Sequence, residues 1–258
     1  MGTAKVGILY VHGIGTQGHN FADRDIALMQ KMLGEHAEHV AFSSYCWQSL
    51  IEPRERELMQ KNQRVGWRFL RRLLASYGGD ALCYQPRHGL DSFYKEAHRG
   101  LDNALLILHH KMAKDGKLII VAHSLGTIIV NNFIWDYQNE GSVGAAAYEP
   151  AGSALDRLSV LYTLGSPLSV WSMRFPDGGK PISLPSGCLW RNIYSPADII
   201  GWPIRTINSA YMTLPGLRDF RMWVGGVLTR WNPGSHLAYA RSKKVVKMIA
   251  DDVVRIME

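Results

Sequence analysis

The segment Leu118-Ile119-Ile120-Val121-Ala122-His123-Ser124-Leu125-Gly126-Thr127-Ile128-Ile129-Val130 constrains the fold more than any other part of the chain. A short apolar run rich in β-branched residues has the signature of a buried strand. It stops at a small residue, a serine follows, and an apolar helical pattern resumes at once. Only a sharp turn joins a strand to a helix in so few residues. Such a turn lifts the Ser124 hydroxyl clear of a parallel sheet.

The rest of the chain alternates in the same way. Strand-like runs fall at 5–11, 39–46, 117–122, 158–164, 188–194 and 219–224, and helical patterns at 22–38, 92–113, 125–138 and 236–257. This alternation predicts an α/β fold, a mostly parallel sheet of about six strands with helices on both faces. Asp91 and Ser92 are expected to cap the second helix, and Gly116 follows its basic end. In the last helix Val245, Met248, Ile249, Val253 and Ile256 recur at near-helical spacing, which gives it one face to pack on the sheet. The 258 residues suit one domain with a full core.

Composition excludes several classes. No run reaches the ~18–20 apolar residues of a membrane-spanning helix. The N-terminus enters a strand directly, with no signal-peptide pattern, so a cytoplasmic protein is expected. Cys46, Cys83 and Cys188 are odd in number and widely spaced, which argues for buried free thiols over a disulfide framework or structural zinc. His36 and His39 lack a third ligand at metal spacing, and no metal site is expected.

A serine on a strand–turn–helix is the arrangement of a nucleophile elbow. Nucleophilic serine chemistry also needs a base, an acid to orient the base, and donors for an oxyanion. Three further segments offer these: His12-Gly13-Ile14-Gly15-Thr16 after the first strand, Asn192 to Asp198 after the fifth, and Asn232-Pro233-Gly234-Ser235-His236 near the end. Serine, aspartate, then histidine is the chain order of α/β-hydrolases. In these motifs the chain resembles the α/β-hydrolase superfamily, in its lipase and esterase branch. His12-Gly13 resembles the family's oxyanion motif. Thr163-Leu164-Gly165-Ser166-Pro167 resembles the strand end that follows the nucleophile helix, and Asn192 to Asp198 the segment that delivers the acid. The chain departs from G-x-S-x-G at Ala122, where the first glycine is usual. It also lacks the family's first hairpin, leaving a minimal sheet.

The resemblance implies a serine esterase or lipase-like hydrolase, working through an acyl-enzyme on carboxylic esters, with lipid or long-chain acyl esters favoured. Ser124 would be the nucleophile, His236 the base and Asp198 its partner. The backbone N–H groups of Leu125 and of Gly13 or Ile14 would hold the oxyanion. His12, His123 and Trp202 would border the substrate, and no cofactor is required. Acyl transfer or amide cleavage by the same triad, and a non-catalytic binding module on this fold, remain as alternatives.

Rival residues have plainer roles. Asp177 sits in a Pro-Asp-Gly-Gly turn, where aspartate suits the turn itself. Asp219 begins a strand and is expected to stay solvated or to pair with Arg218 or Arg221. The glycine-rich segment Gly13 to Gly18 follows a strand and precedes a helix, but no Gly-Lys-Ser/Thr ending appears, and nucleotide binding is set aside.

The net charge of +7 is concentrated: between Glu52 and Ser76 seven Lys/Arg residues face three glutamates, with Trp67, Phe69, Leu70, Leu73 and Leu74 among them. The plainer account is a surface helix with solvated arginines. The alternative is a basic helical lid or insertion over 50–90, with peripheral contact to an anionic membrane through 52–76. No motif supports nucleic-acid binding. The apolar stretch Ile199 to Trp223 is expected to border the site and to take an acyl group, or to pack beneath a long loop.

Overall fold

The computed structural model describes residues 2–12, 22–50, 57, 84, 93–139, 154–227 and 229–258. The proposed lid over 50–90 with its basic 52–76 segment, Gly13 and Ile14, the Asp91 and Ser92 caps, and Cys83 lie outside the described residues, apart from positions 50, 57 and 84.

Six parallel strands form one sheet: β1 (Ala4–His12), β2 (Val40–Cys46), β3 (Met112–His123), β4 (Leu158–Leu164), β5 (Leu189–Tyr194) and β6 (Leu217–Arg221), in the order β2-β1-β3-β4-β5-β6. Between them run α1 (Asp23–Leu33), α2 (Phe93–Lys111), α3 (Leu125–Gln138) and two short helices, α4 (Leu168–Ser172) and α5 (Ser209–Thr213). The chain closes on α6 (Lys243–Met257). The apolar runs form strands because both faces of the sheet are covered. Alternate residues of each strand feed two separate cores. Leu9, Val11, Ile120, Leu161 and Trp190 join the core built with α2 and α3. Val6, Ile8, Ile119, Val121 and Val160 join the one built with α1 and α6.

Boundaries differ from the sequence expectation where backbone geometry intervenes. Helix α1 stops at Leu33, because Gly34 adopts φ +58° and the chain tightens into a 3₁₀ turn over Gly34–His39. In β3, Met112 pairs with Ala4, and regular pairing begins only at Lys117 opposite Val6. The strand expected at 219–224 begins at Leu217 and ends at Arg221. The last helix starts at Lys243, not at His236. Residues Pro233–Leu237 instead form a 3₁₀ turn that Asn232 caps by accepting from the Gly234 N–H at 2.8 Å. A tight turn there places the buried His236 at the sheet's rim and not along a helix flank.

The strand order positions the site. The chain moves from β1 outward to β2, then crosses back to place β3 on the other side of β1. The chain therefore leaves β1 and β3 toward opposite sides, at the carboxyl edge where open α/β sheets form a crevice. His12 ends β1 and His123 ends β3, and the two are register partners.

Candidate active site

Ser124 sits between β3 and α3 with φ +57° and ψ −131°, the one non-glycine residue among the described residues with positive φ. A non-glycine residue in such a conformation costs ~1–3 kcal/mol and persists only where its surroundings hold it. Here they do: the Ser124 N–H donates to the Leu164 carbonyl at 2.9 Å, and Thr127 Oγ1 donates to the Ser124 carbonyl at 2.7 Å. Thr127 in turn meets the buried Ser166 hydroxyl at 2.7 Å, and Ser166 also accepts the Leu168 N–H. The Gly165-Ser166 segment at the end of β4 thus braces the serine turn.

The Ser124 hydroxyl lies 2.8 Å from His236 Nε2, and His236 Nδ1 lies 2.9 Å from Asp198 Oδ2. Because a carboxylate can only accept, His236 carries its proton on Nδ1 and turns the Nε2 lone pair to the serine. All three residues are buried, Ser124 to 1% exposure. The structure therefore brings together residues that are 112 and 38 positions apart in the chain.

Asp198 is held from several sides. Tyr239 donates its hydroxyl to Asp198 Oδ2 at 2.7 Å and accepts the Ser195 N–H at 2.8 Å, while the Ile200 N–H donates to Oδ1 at 2.9 Å. Burial pushes the carboxyl up, but His236, Tyr239 and the Ile200 amide outweigh it and hold it below the usual carboxylate range. Space for this carboxylate comes from two glycines. A Cβ on Gly201 would stand 2.6 Å from Asp198 Oδ2, and one on Gly165 would stand 2.9 Å from it with φ at +56°.

The residues expected to border the substrate take more specific places. His123 Nε2 lies 2.7 Å from the His236 carbonyl, so it is the protonated nitrogen, and His123 Nδ1 accepts from His12 Nε2 at 3.2 Å. Burial pushes both imidazoles down, helped by neighbouring histidines: His12 to about 4, and His123 well below the ordinary histidine value. Both are neutral at pH 7. Trp202 leaves its ring 47% exposed on the loop after Asp198, with Nε1 donating to the Ile199 carbonyl at 3.2 Å. Leu125 opens α3, and the first N–H groups of a helix have no intrahelical acceptor.

Sequence reasoning missed Tyr239, for which position alone gives no signal. It also misjudged Asp219. That carboxylate is half-buried and accepts from the Ile204 and Arg205 amides at 2.9 Å each and from Asn192 Nδ2 at 2.7 Å. Asp219 shapes the loop that follows Asp198 instead of pairing with Arg218 or Arg221. Gly13, Gly15 and Gly18 have the G-x-G-x-x-G spacing of a dinucleotide loop. The acidic residue such a site uses on the ribose is absent where β2 ends, in Tyr45-Cys46-Trp47. Cys46 is half-buried, not buried as expected, whereas Cys188 is a buried free thiol that burial pushes up to about 12. Among the described residues no group of His, Cys, Asp and Glu could hold a metal ion, and no helix is long and apolar enough to cross a membrane.

No protein-family model and no curated protein matches the sequence. Solved structures do. An esterase from Pyrobaculum calidifontis aligns over 100% of this chain and 78% of its own, with a TM-score of 0.51 at 10% identity. The chain has the α/β-hydrolase fold. Two further structures align at lower TM-scores. A hydrolase of the alpha/beta superfamily from Xanthomonas campestris pv. campestris covers 97% of both chains at 11% identity and a TM-score of 0.46. A thioesterase of the prodiginine pathway of Streptomyces coelicolor covers 98% of this chain and 86% of its own, at 12% identity and a TM-score of 0.45. In the hydrolase fold seen here, Ser124, Asp198 and His236 follow β3, β5 and β6 at the carboxyl edge of the sheet.

Proposed function

We propose that the protein is a serine hydrolase that cleaves carboxylic esters through an acyl-enzyme. The observation that carries this reading is the unbroken hydrogen-bonded line from Ser124 through His236 to Asp198, begun by a serine on a strained turn. In the first step Ser124 Oγ bonds to the ester carbonyl carbon while His236 Nε2 takes the hydroxyl proton. The carbonyl π pair moves to oxygen. As the tetrahedral centre collapses, the carbon–alkoxide bond breaks and the alcohol leaves with the proton from His236. Water repeats the sequence on the acyl-enzyme and frees the acid. Asp198 fixes the His236 tautomer and offsets the imidazolium charge as it forms.

The developing oxyanion needs N–H donors. The Leu125 N–H, at the start of α3, is the first, and the family resemblance implies Gly13 or Ile14 as the second. Each such donor is typically worth ~10²–10³ in rate. Ile199 and Trp202, large apolar side chains exposed on the loop after Asp198, suit an apolar acyl group, which favours lipid or long-chain esters. The reaction needs no cofactor.

Intact-mass analysis after fluorophosphonate treatment tests the assignment. One adduct on the wild type and none on Ser124→Ala is the expected result. An equal adduct on folded Ser124→Ala would overturn it.

A further inference from the structure

A second concavity adjoins the serine site. Past the end of β6, the turn through Trp223, Gly226 and Thr229, the His236 loop and the first turn of α6 enclose a cavity of about 1060 Å³. Every charged residue lining it is a cation: Arg221, Arg230, Arg241, Lys243 and Lys244. All five are exposed. Outside the lining, Arg241 faces the carboxylate of Asp25.

Two features set this face apart. Lys243 and Lys244 occupy the first turn of α6, where no acidic residue stands and the Ser242 side chain makes no cap hydrogen bond. The positive end of the helix dipole disfavours cations there. Secondly, the same face exposes large apolar side chains. Trp223 is 50% exposed, Leu237 60%, Trp231 68% and Val227 84%. They project from a fixed turn: the Thr229 and Arg230 amides donate to the Gly226 carbonyl, Gly226 N–H donates to Thr229 Oγ1, and Trp231 Nε1 donates to the Val227 carbonyl at 3.1 Å. A small soluble anion would satisfy the cations but would leave Val227 and Trp231 exposed to water. Aromatic side chains mixed with lysine and arginine fit a headgroup region, which is apolar on one side and charged on the other.

We propose that the face from Arg221 to Lys244 docks on an anionic lipid surface, its tryptophans entering the interface and its cations facing the lipid headgroups. One wall of the cavity is Gly234, Leu237 and Ala238, which flank His236, so docking would bring the serine site up to the lipid. The inference goes beyond the proposed chemistry and is independent of it, because binding is read without turnover.

The experiment is co-sedimentation of the full chain, as wild type and as Ser124→Ala, with phosphatidylcholine vesicles with and without phosphatidylserine. Binding is expected only with phosphatidylserine, equal for both proteins and weakened by salt. Arg230→Gln, Lys243→Gln and Lys244→Gln together should weaken it about 100-fold, from the ~1 kcal/mol each cation contributes near an anionic surface. Neutralising the two lysines at the helix N-terminus should leave the melting temperature unchanged or higher, so lost binding cannot be lost folding. Wild-type binding indifferent to lipid charge would overturn the proposal whatever the variants do. Binding unchanged in the triple variant, or inorganic phosphate bound without vesicle binding, would overturn it too.

Discussion

His123 donates its Nε2 proton to the main-chain carbonyl of His236 across 2.7 Å. The residue before the serine therefore holds the backbone of the residue that faces the serine hydroxyl. The two rings stand 4.9 Å apart, tilted by 36°. The tie sets the distance between β3 and the closing turn. With His12 donating to its other nitrogen, His123 has both nitrogens engaged inside the protein.

Replacing His123 by phenylalanine keeps a ring but leaves the His236 carbonyl without this donor. Stability should fall by about 1–3 kcal/mol. Displacement of His236 should lower kcat on an ester by up to ~10²-fold, with KM little changed. His123→Gln retains a donor and should recover part of both losses. Steady-state kinetics beside urea unfolding separate these outcomes, and a fully active His123→Phe would exclude the positioning role.

Tyr239 bridges Asp198 and the Ser195 amide with one hydroxyl. Tyr239→Phe removes a donor that holds the carboxylate ionised, so the Asp198 pKa should rise toward the ordinary carboxylate value and the stability lost below about pH 3.9 should shrink. The cost in stability should be about 1 kcal/mol. Urea midpoints that fall as steeply below that pH as in the wild type would show that Tyr239 serves packing alone.

The backbone of Ser124 is strained, and the strain is local to one residue. Glycine adopts positive φ without steric penalty, whereas alanine does not. Ser124→Gly should therefore be more stable than Ser124→Ala, by about 1 kcal/mol. Neither variant should take a fluorophosphonate. Thermal unfolding of the pair decides it, and equal melting temperatures would mean that the turn relaxes.

Acid should weaken the fold in two stages. His12, His98 and His123 are held neutral chiefly by burial, His12 down to about 4. Unfolded histidines bind protons near ~6.5, so the unfolded state takes up more protons as pH drops from there toward 4. Their contribution is full above ~6.5 and is lost across that window. Asp198 and Asp252 are held below the carboxylate range, Asp252 because the Arg191 guanidinium and the Tyr162 hydroxyl outweigh burial. Their contribution should persist down to about pH 3.9 and fade only below it. Urea midpoints measured across pH should show the first decline starting near pH 6.5. A flat profile from pH 7 to 5 would contradict buried neutral histidines.

Much of the architecture could be read from the chain because its signals are local. The runs that become β4 and α3 fall at their expected residues, 158–164 and 125–138, since apolar patterning and a sharp turn act over a few residues. Ser124 was legible for the same reason. Its strand, turn and helix are contiguous, and the backbone strain falls on one residue. The boundary errors lie at Gly34 and at Pro233–Leu237, where a single backbone conformation or side-chain cap decides and apolar periodicity does not respond.

What pairs with Ser124 was decided in three dimensions. Asp198 follows β5, whereas Asp219 lies within β6. The fold sends Asp198 to His236 and turns Asp219 onto the Ile204 and Arg205 amides. Tyr239 acquires its role only because the turn through Pro233–Leu237 carries it back over the end of β5. Local patterns fix which residues can form strands, helices and turns, because backbone sterics and side-chain periodicity act along the chain. The strand order β2-β1-β3-β4-β5-β6 and the packing of α6 decide which of them meet, because hydrogen bonds and desolvation act through space.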